Sequence, residues 1–130
     1  MPDVIRLSVT ATPAAFPVVR MVLGGVAARV DLSLDEIDDL YVAVEELLRA
    51  AASSGEEPRH ELIVEVGDDG LSVSAGPFHS DGLRARLAGR ATDVGLDLKT
   101  LMHGMVGTVE VCAAPGDCYC VVFAKRRAAT

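Results

Sequence analysis

The sequence has no apolar run long enough to cross a membrane and no excess of basic charge. A membrane-spanning helix needs about 18 uncharged apolar residues, and the chain contains no such run. Its N-terminus lacks the basic region followed by an apolar core that is typical of a secretory signal. Asp and Glu number 19 against 12 Lys and Arg, which gives a net charge of −7. We therefore expect a cytoplasmic protein with no membrane and no nucleic acid among its direct partners, because phosphate binding needs a basic surface.

The chain is also short of cysteine and of recognisable catalytic motifs. Its three cysteines, Cys112, Cys118 and Cys120, lie close together and lack the CxxC spacing or adjacent histidine of a zinc site. We expect them to be buried structural thiols, because free cysteine behaves as a small hydrophobe. The three histidines are far apart and have no ligand spacing, so we predict no metal site. No Ser-His-Asp, HExxH, P-loop or Rossmann pattern is present.

Half of the 130 residues are apolar, which predicts one folded domain over residues 1–130. Alternation of apolar and polar residues predicts strands near 5–10, 60–67, 71–75, 107–113 and 118–125. Helical periodicity predicts helices near 13–29, 33–53, 81–89 and 95–105. Strands in pairs alternating with helices in pairs predict an α+β fold, with a mixed, mostly antiparallel sheet covered on one face by helices.

The second helix is the most informative segment. Ser33, followed three residues later by a glutamate, predicts a capping box at its start. Glu46 and Ala50 are expected to share one face of this helix, away from the middle of its apolar stripe. Glu45 and Arg49 are expected to form a weak surface pair. The stripe itself is predicted from five residues at spacings of three and four: Leu34, Ile37, Tyr41, Val44 and Leu48.

This helix resembles one that is found in a known family. The run Leu-Tyr-Val-Ala-Val-Glu-Glu-Leu-Leu-Arg-Ala-Ala, residues 40–51, is similar to the first ATP-box helix of anti-sigma regulatory factors. These are serine/threonine protein kinase-like members of the GHKL, or histidine-kinase-type, ATPase superfamily. The family has a glutamate in this helix and an asparagine four residues later. Glu46 matches the glutamate, and Ala50 replaces the asparagine.

Two later segments extend the resemblance. Residues 71–78 are similar to the family strand that ends in Asp-x-Gly; Gly76 matches the glycine and Ser74 stands at the aspartate position. Residues 93–98 are similar to the Gly-x-Gly-Leu-x-Leu that opens a helix after the ATP lid. Gly95 and Leu96 match there, whereas Asp93 replaces the first glycine. The match follows the family's element order over about residues 5–125 and implies its histidine-kinase-like ATPase sandwich fold.

The resemblance implies roles for these residues. Glu46 would activate or orient the nucleophile, residue 50 would bind Mg²⁺, residue 74 would bind the adenine, and the glycines would let backbone N–H groups approach phosphate. Ala50 has no oxygen for Mg²⁺, Ser74 is a short neutral acceptor, and Asp93 would repel phosphate. We therefore expect handling of ATP and Mg²⁺ to be weak or lost. The implied cofactor site comprises Glu46, Ala50, Ser74, Gly76, Gly95 and Leu96.

Three functions follow from these observations. The leading hypothesis is an anti-sigma-factor-like regulator of transcription that binds a sigma factor, an anti-anti-sigma (STAS-type) protein, or both. An alternative is an active serine protein kinase of the same fold that uses Glu46 to phosphorylate an anti-anti-sigma protein. A third is a structural or dimerisation domain that binds no nucleotide. Self-association as a homodimer is left open.

Overall fold

The computed structural model describes residues 3–90 and 97–128. Within these ranges five strands form one sheet: β1 Asp3–Thr10, β2 Arg59–Val66, β3 Gly70–Phe78, β4 Val109–Ala114 and β5 Cys118–Arg126. Four α-helices accompany them: α1 Phe16–Ala28, α2 Leu34–Ser53, α3 Asp81–Leu87 and α4 Leu98–Val106. The predicted element order and the α+β fold class are confirmed.

The strand order across the sheet is β1-β2-β3-β5-β4. All four pairings between the described strands are antiparallel, so these strands do not form the mixed sheet that we predicted. Because side chains alternate along a strand, the sheet has two distinct faces. On the helix face, side chains are buried in the core that the strands share with the helices; examples are Leu62, Val64, Val73, Val121 and Phe123. On the open face, side chains remain partly or fully exposed; examples are Glu61, Ile63, Ser74, Cys120 and Val122.

Helix α2 begins with the predicted capping box. The Ser33 backbone N–H donates to Glu36 Oε1 at 2.7 Å, and the Glu36 N–H donates to Ser33 Oγ at 3.1 Å. The bond from the Ser33 backbone lowers the pKa of the Glu36 carboxyl. Of the five predicted stripe residues, Val44 and Leu48 are buried and Ile37 and Tyr41 are half-buried against the core, but Leu34 is 81% exposed. Since residues 33–35 are all exposed, the first turn of α2 is left uncovered and the buried stripe begins later than predicted.

Helix α1 follows a single 3-10 turn, Pro13–Ala15, and packs against α2. Gly24 in the middle of α1 has a specific role in this packing. A Cβ at Gly24 would lie 2.5 Å from the hydroxyl oxygen of Tyr41 on α2. The absence of a side chain therefore lets Tyr41 cross close to α1.

Helix α4 begins later than predicted. Asp97 has extended backbone angles and caps the helix: its carboxylate accepts from the Lys99 N–H at 3.3 Å and from Thr100 Oγ1 at 3.1 Å. The helix therefore starts at Leu98 rather than at residue 95. Among the residues described, no helix combines the length and the apolar character needed to cross a bilayer.

Candidate functional site

The two predicted site residues on α2 lie in different environments. The Glu46 side chain is 37% exposed, and its Oε1 lies 3.6 Å from the guanidinium of Arg49. Ala50 is buried, although it lies away from the middle of the apolar stripe. The reason is that α2 packs against α1, α4 and β5, which cover more of its circumference than one apolar stripe. Position 50 therefore presents a buried methyl group, which cannot coordinate Mg²⁺.

The sequence analysis missed a buried carboxylate beside Glu46. The Glu45 side chain is only 9% exposed and accepts two hydrogen bonds from Arg20 of α1, at 2.6 Å to Nε and 3.1 Å to the terminal nitrogen. Arg49 lies 3.9 Å away, so the predicted surface pair is a minor contact. The hydrogen bond to Glu45 raises the pKa of Arg20 above its ordinary value. This bidentate pair joins α1 to α2. The one feature of the sequence that could have indicated it is the presence of an arginine on the preceding helix.

Ser74 lies on the open face of the sheet. It pairs with Ile63 of β2 and Val122 of β5, and all three side chains are half-buried there. Ala50 is buried on the other side of the sheet, in the layer that contains the helices. The next strand residue, Ala75, does face the helices, but it is a buried methyl group. The structure therefore does not bring Ser74 and Ala50 together in one pocket.

Gly76 is explained by close packing of β3 on β5. A Cβ at Gly76 would lie 3.0 Å from the sulfur of Cys120 and 3.1 Å from the carbonyl oxygen of Tyr119. Its φ of +153° is also one that side-chain-bearing residues rarely adopt. A glycine is therefore required here by the sheet itself, without any ligand.

The remaining predicted site residues cannot be placed. Gly95 and Leu96, together with Asp93, lie outside the described residues. The roles that the family resemblance gives them, in phosphate binding, stay predictions.

An aromatic cluster fills the interior at the end of β3. It comprises His60, Phe78 and Tyr119, with ring centroids 4.7 Å apart for His60 and Phe78, and 6.0 Å apart for Phe78 and Tyr119. Phe78 and Tyr119 are fully buried. Burial raises the pKa of Tyr119 to about 12, and its hydroxyl donates to the carbonyl of Ser80 at 2.6 Å. The space beside the strand end is thus occupied by the protein's own side chains.

A second missed carboxylate, Glu56, fixes the turn that follows β3. It is buried and accepts from the backbone N–H of His79 at 2.6 Å and from the N–H of Ser80. The ring Nδ1 of His79 lies 2.6 Å from its other oxygen. Ser80 then caps α3 by accepting from the Leu83 N–H at 3.1 Å. The sequence analysis assigned no role to Glu56, because its hydrogen-bond partners are more than 20 residues away in the chain.

His60 has no visible polar partner. Both of its ring nitrogens are buried and lack a hydrogen-bond partner among the described residues. Burial lowers the pKa of His60, while the charge of Glu56 and the nearby Pro77 backbone, which does not reach hydrogen-bond geometry with the ring, oppose part of that effect. The ring is therefore held as a neutral group against Phe78.

The three thiols are not buried as predicted. Cys112 is exposed, and Cys118 and Cys120 are half-buried, because all three lie on the open face of the β4–β5 hairpin. Cys112 stands directly opposite Cys120. Burial raises the pKa of Cys120, and the neighbouring Cys112 acts in the same direction. In residues 3–90 and 97–128, no group of His, Cys, Asp or Glu side chains is arranged to bind a metal ion.

An open groove lies on the helix face at the outer edge of the sheet. It has a volume of about 560 Å³ and runs between α3, the start of α4 and β4. We call it the β4 groove. Its lining combines apolar residues with three basic ones, and comprises Arg84, Leu87, Ala88, Arg90, Lys99, Val109, Val111, Ala113 and Tyr119.

The comparisons with known proteins support the fold. No protein-family model matches the chain, and no curated protein matches it significantly. Among solved structures, the chain is similar to the crystal structure of the RsbU and RsbW domains of Rv1364c from Mycobacterium tuberculosis, with a TM-score of 0.65 and 16% sequence identity. The similarity covers 98% of this chain and 35% of that one. At this identity the comparison supports the fold alone, an α+β fold that the described residues of this chain build from a five-stranded antiparallel sheet and four α-helices.

Proposed function

We propose that this chain is a regulatory binding module that controls transcription by binding a sigma factor, an anti-anti-sigma (STAS-type) protein, or both, without using ATP. The observation that supports this most strongly is the fold similarity over 98% of the chain to a structure containing an RsbW domain. The family resemblance of residues 40–51 points to the same kind of regulator.

The described residues argue against retained nucleotide chemistry. Binding of ATP with Mg²⁺ requires oxygen ligands for the metal and positive charge or N–H donors for the phosphates. Residue 50 offers a buried methyl group, and Ser74 lies on the opposite side of the sheet. The aromatic cluster fills the interior at the end of β3. Glu46 remains half-exposed and forms an ion pair with Arg49 at 3.6 Å.

Binding a protein partner needs surface rather than chemistry, so losing the ATP-box residues does not remove this function. Charge complementarity would steer association and select among partners more than it would raise affinity. The fold would then act as a scaffold that presents a surface to the protein partner.

Two measurements test the proposal. Calorimetric titration with ATP, with and without Mg²⁺, should show no binding at micromolar concentrations. Purified sigma factors and STAS-type proteins from the same genome should include at least one that binds the immobilised chain in the absence of nucleotide. The Glu46→Gln variant is the matched control and should bind that partner as the wild type does.

Other outcomes favour the alternatives. Micromolar, Mg²⁺-dependent ATP binding, together with transfer of phosphate to a STAS-type protein that Glu46→Gln abolishes, would establish the kinase and overturn the proposal. Failure of every protein in the panel to bind would instead favour the structural or dimerisation domain.

A further inference from the structure

The floor of the β4 groove is an apolar strip that the described helices leave partly uncovered. Val109, Val111 and Ala113 point to the helix face, because they pair with β5 residues that are buried there. Val111 is nevertheless 42% exposed. The strip spans four residue steps, or about 13 Å at 3.3 Å per residue. Apolar side chains that are exposed together and rimmed by polar groups are one feature of protein-interaction sites.

The rim of the groove has the opposite charge to the chain as a whole. Arg84, Arg90 and Lys99 are all exposed. None of them makes an ion pair with an acidic side chain in the described ranges. Arg84 lies over the ring of Tyr119, 4.5 Å from its centroid, and the nearby Asp97 caps α4. Three cations therefore border one apolar strip in a chain whose net charge is −7.

We propose that the β4 groove binds an acidic segment of the partner protein. An apolar side chain of that segment would lie on Val111, and flanking carboxylates would contact Arg84, Arg90 and Lys99. This inference rests on the proposed function in one respect, namely that the chain has a protein partner. The length of the strip fits several residues of a peptide better than a small anion, and the acidic remainder of the surface would repel the segment from other sites.

The test uses a fluorescein-labelled peptide, Asp-Asp-Leu-Asp-Asp-Leu-Asp-Asp, and fluorescence anisotropy with the full chain. The double variant Arg90→Glu, Lys99→Glu should weaken binding by about tenfold or more, because two attractive rim contacts become repulsive. The control Arg59→Glu, Arg126→Glu has the same net charge and changes exposed cations outside the groove; it should weaken binding by less than about twofold. Val111→Ser should weaken binding by about threefold through lost apolar contact.

Three results would overturn the inference. They are absence of binding at millimolar protein, equal weakening by the control variant, and equal binding of a peptide in which Asp replaces both leucines. The last would mean that the groove attracts anions without using its apolar floor. A twin peptide with Lys in place of every Asp should not bind.

The partner panel separates this inference from the proposed function. If a partner binds the wild type and the Arg90→Glu, Lys99→Glu variant equally, the docking site is wrong and the proposed function stands. If no partner binds but the peptide result holds, the groove is an acidic-segment site and the proposed function fails.

Discussion

The pair formed by Arg20 and Glu45 should contribute measurably to stability, and its contribution can be separated from neighbouring contacts. Glu45 is 9% exposed at its side chain, whereas the Arg20 side chain is 49% exposed. Replacing Arg20 by Met keeps most of the aliphatic side chain. The Glu45 carboxylate is then left with Arg49, at 3.9 Å, as its remaining ion-pair partner. Breaking a fully buried pair in this way costs about 3–5 kcal/mol, and water reaching the half-exposed arginine site reduces the expected cost here to about 1–3 kcal/mol.

A double-mutant cycle tests this magnitude. In a Glu45→Leu background no carboxylate is left unpaired, so Arg20→Met should cost only the contact of the guanidinium with the Tyr41 ring, at 5.1 Å, or about 0.5–1 kcal/mol. The coupling free energy between Arg20 and Glu45 is then about 0.5–2 kcal/mol. Glu46→Gln is the matched control and should change stability by less than about 0.5 kcal/mol, because its ion pair is exposed.

The assay is urea unfolding followed by circular dichroism, with the m-value checked for each variant. The reasoning is refuted if Arg20→Met costs the same with and without Glu45, since the pair would then carry no coupling. It is also refuted if Glu46→Gln destabilises the chain as much as Arg20→Met, because exposure would then not distinguish the two carboxylates.

Three further predictions concern single residues. Burial lowers the pKa of His60 below its ordinary value of 6.5. As the pH falls, the unfolded chain therefore takes up more protons than the folded one. The free energy of unfolding should consequently decrease between about pH 7 and 5. His60→Phe should reduce that decrease in urea midpoints, and an unchanged pH dependence would contradict the assignment. Iodoacetamide should label the exposed Cys112 before Cys120. The raised pKa of Cys120 leaves less of it as thiolate at about pH 8. Equal labelling rates for the two cysteines, measured by peptide mapping, would count against this. Gly76→Ala should lower the free energy of unfolding by about 1–3 kcal/mol, because of the backbone angle of Gly76 and its close contacts. The control Gly104→Ala should be neutral or stabilising, because nothing lies within 4 Å of a Cβ at that position. Similar shifts in melting temperature for both variants would be inconsistent with the packing of β3 on β5.

Local signals account for what the sequence predicted correctly about the fold. The start of α2 follows from Ser33 and Glu36, which satisfy each other's backbone groups within four residues of chain. The alternating residues of β2, β3 and β5 likewise specify one buried face. Such features depend only on neighbours in sequence, so they can be read without knowing the tertiary arrangement.

The errors arise where burial depends on elements that are distant in sequence. Ala50 and Glu45 are covered because α2 is packed against α1 and α4 in addition to the sheet. The apolar stripe of α2 does not reveal these additional helix contacts. Ser74 was assigned to adenine by its place in a motif, but strand alternation puts it on the open face. Cys112 is exposed because β4 is an edge strand and is not flanked on both sides.

The most direct test of the central claim is the affinity of the chain for the sigma factor or STAS-type protein that we propose as its partner, measured with and without ATP and Mg²⁺. The account predicts the same dissociation constant in both conditions, because no described residue brings a metal ligand to the position that Ala50 occupies. A dissociation constant that changes tenfold or more when ATP and Mg²⁺ are added would contradict this account. Such a change corresponds to about 1.4 kcal/mol of coupling free energy between nucleotide and partner, and it would mean that ATP takes part in the function.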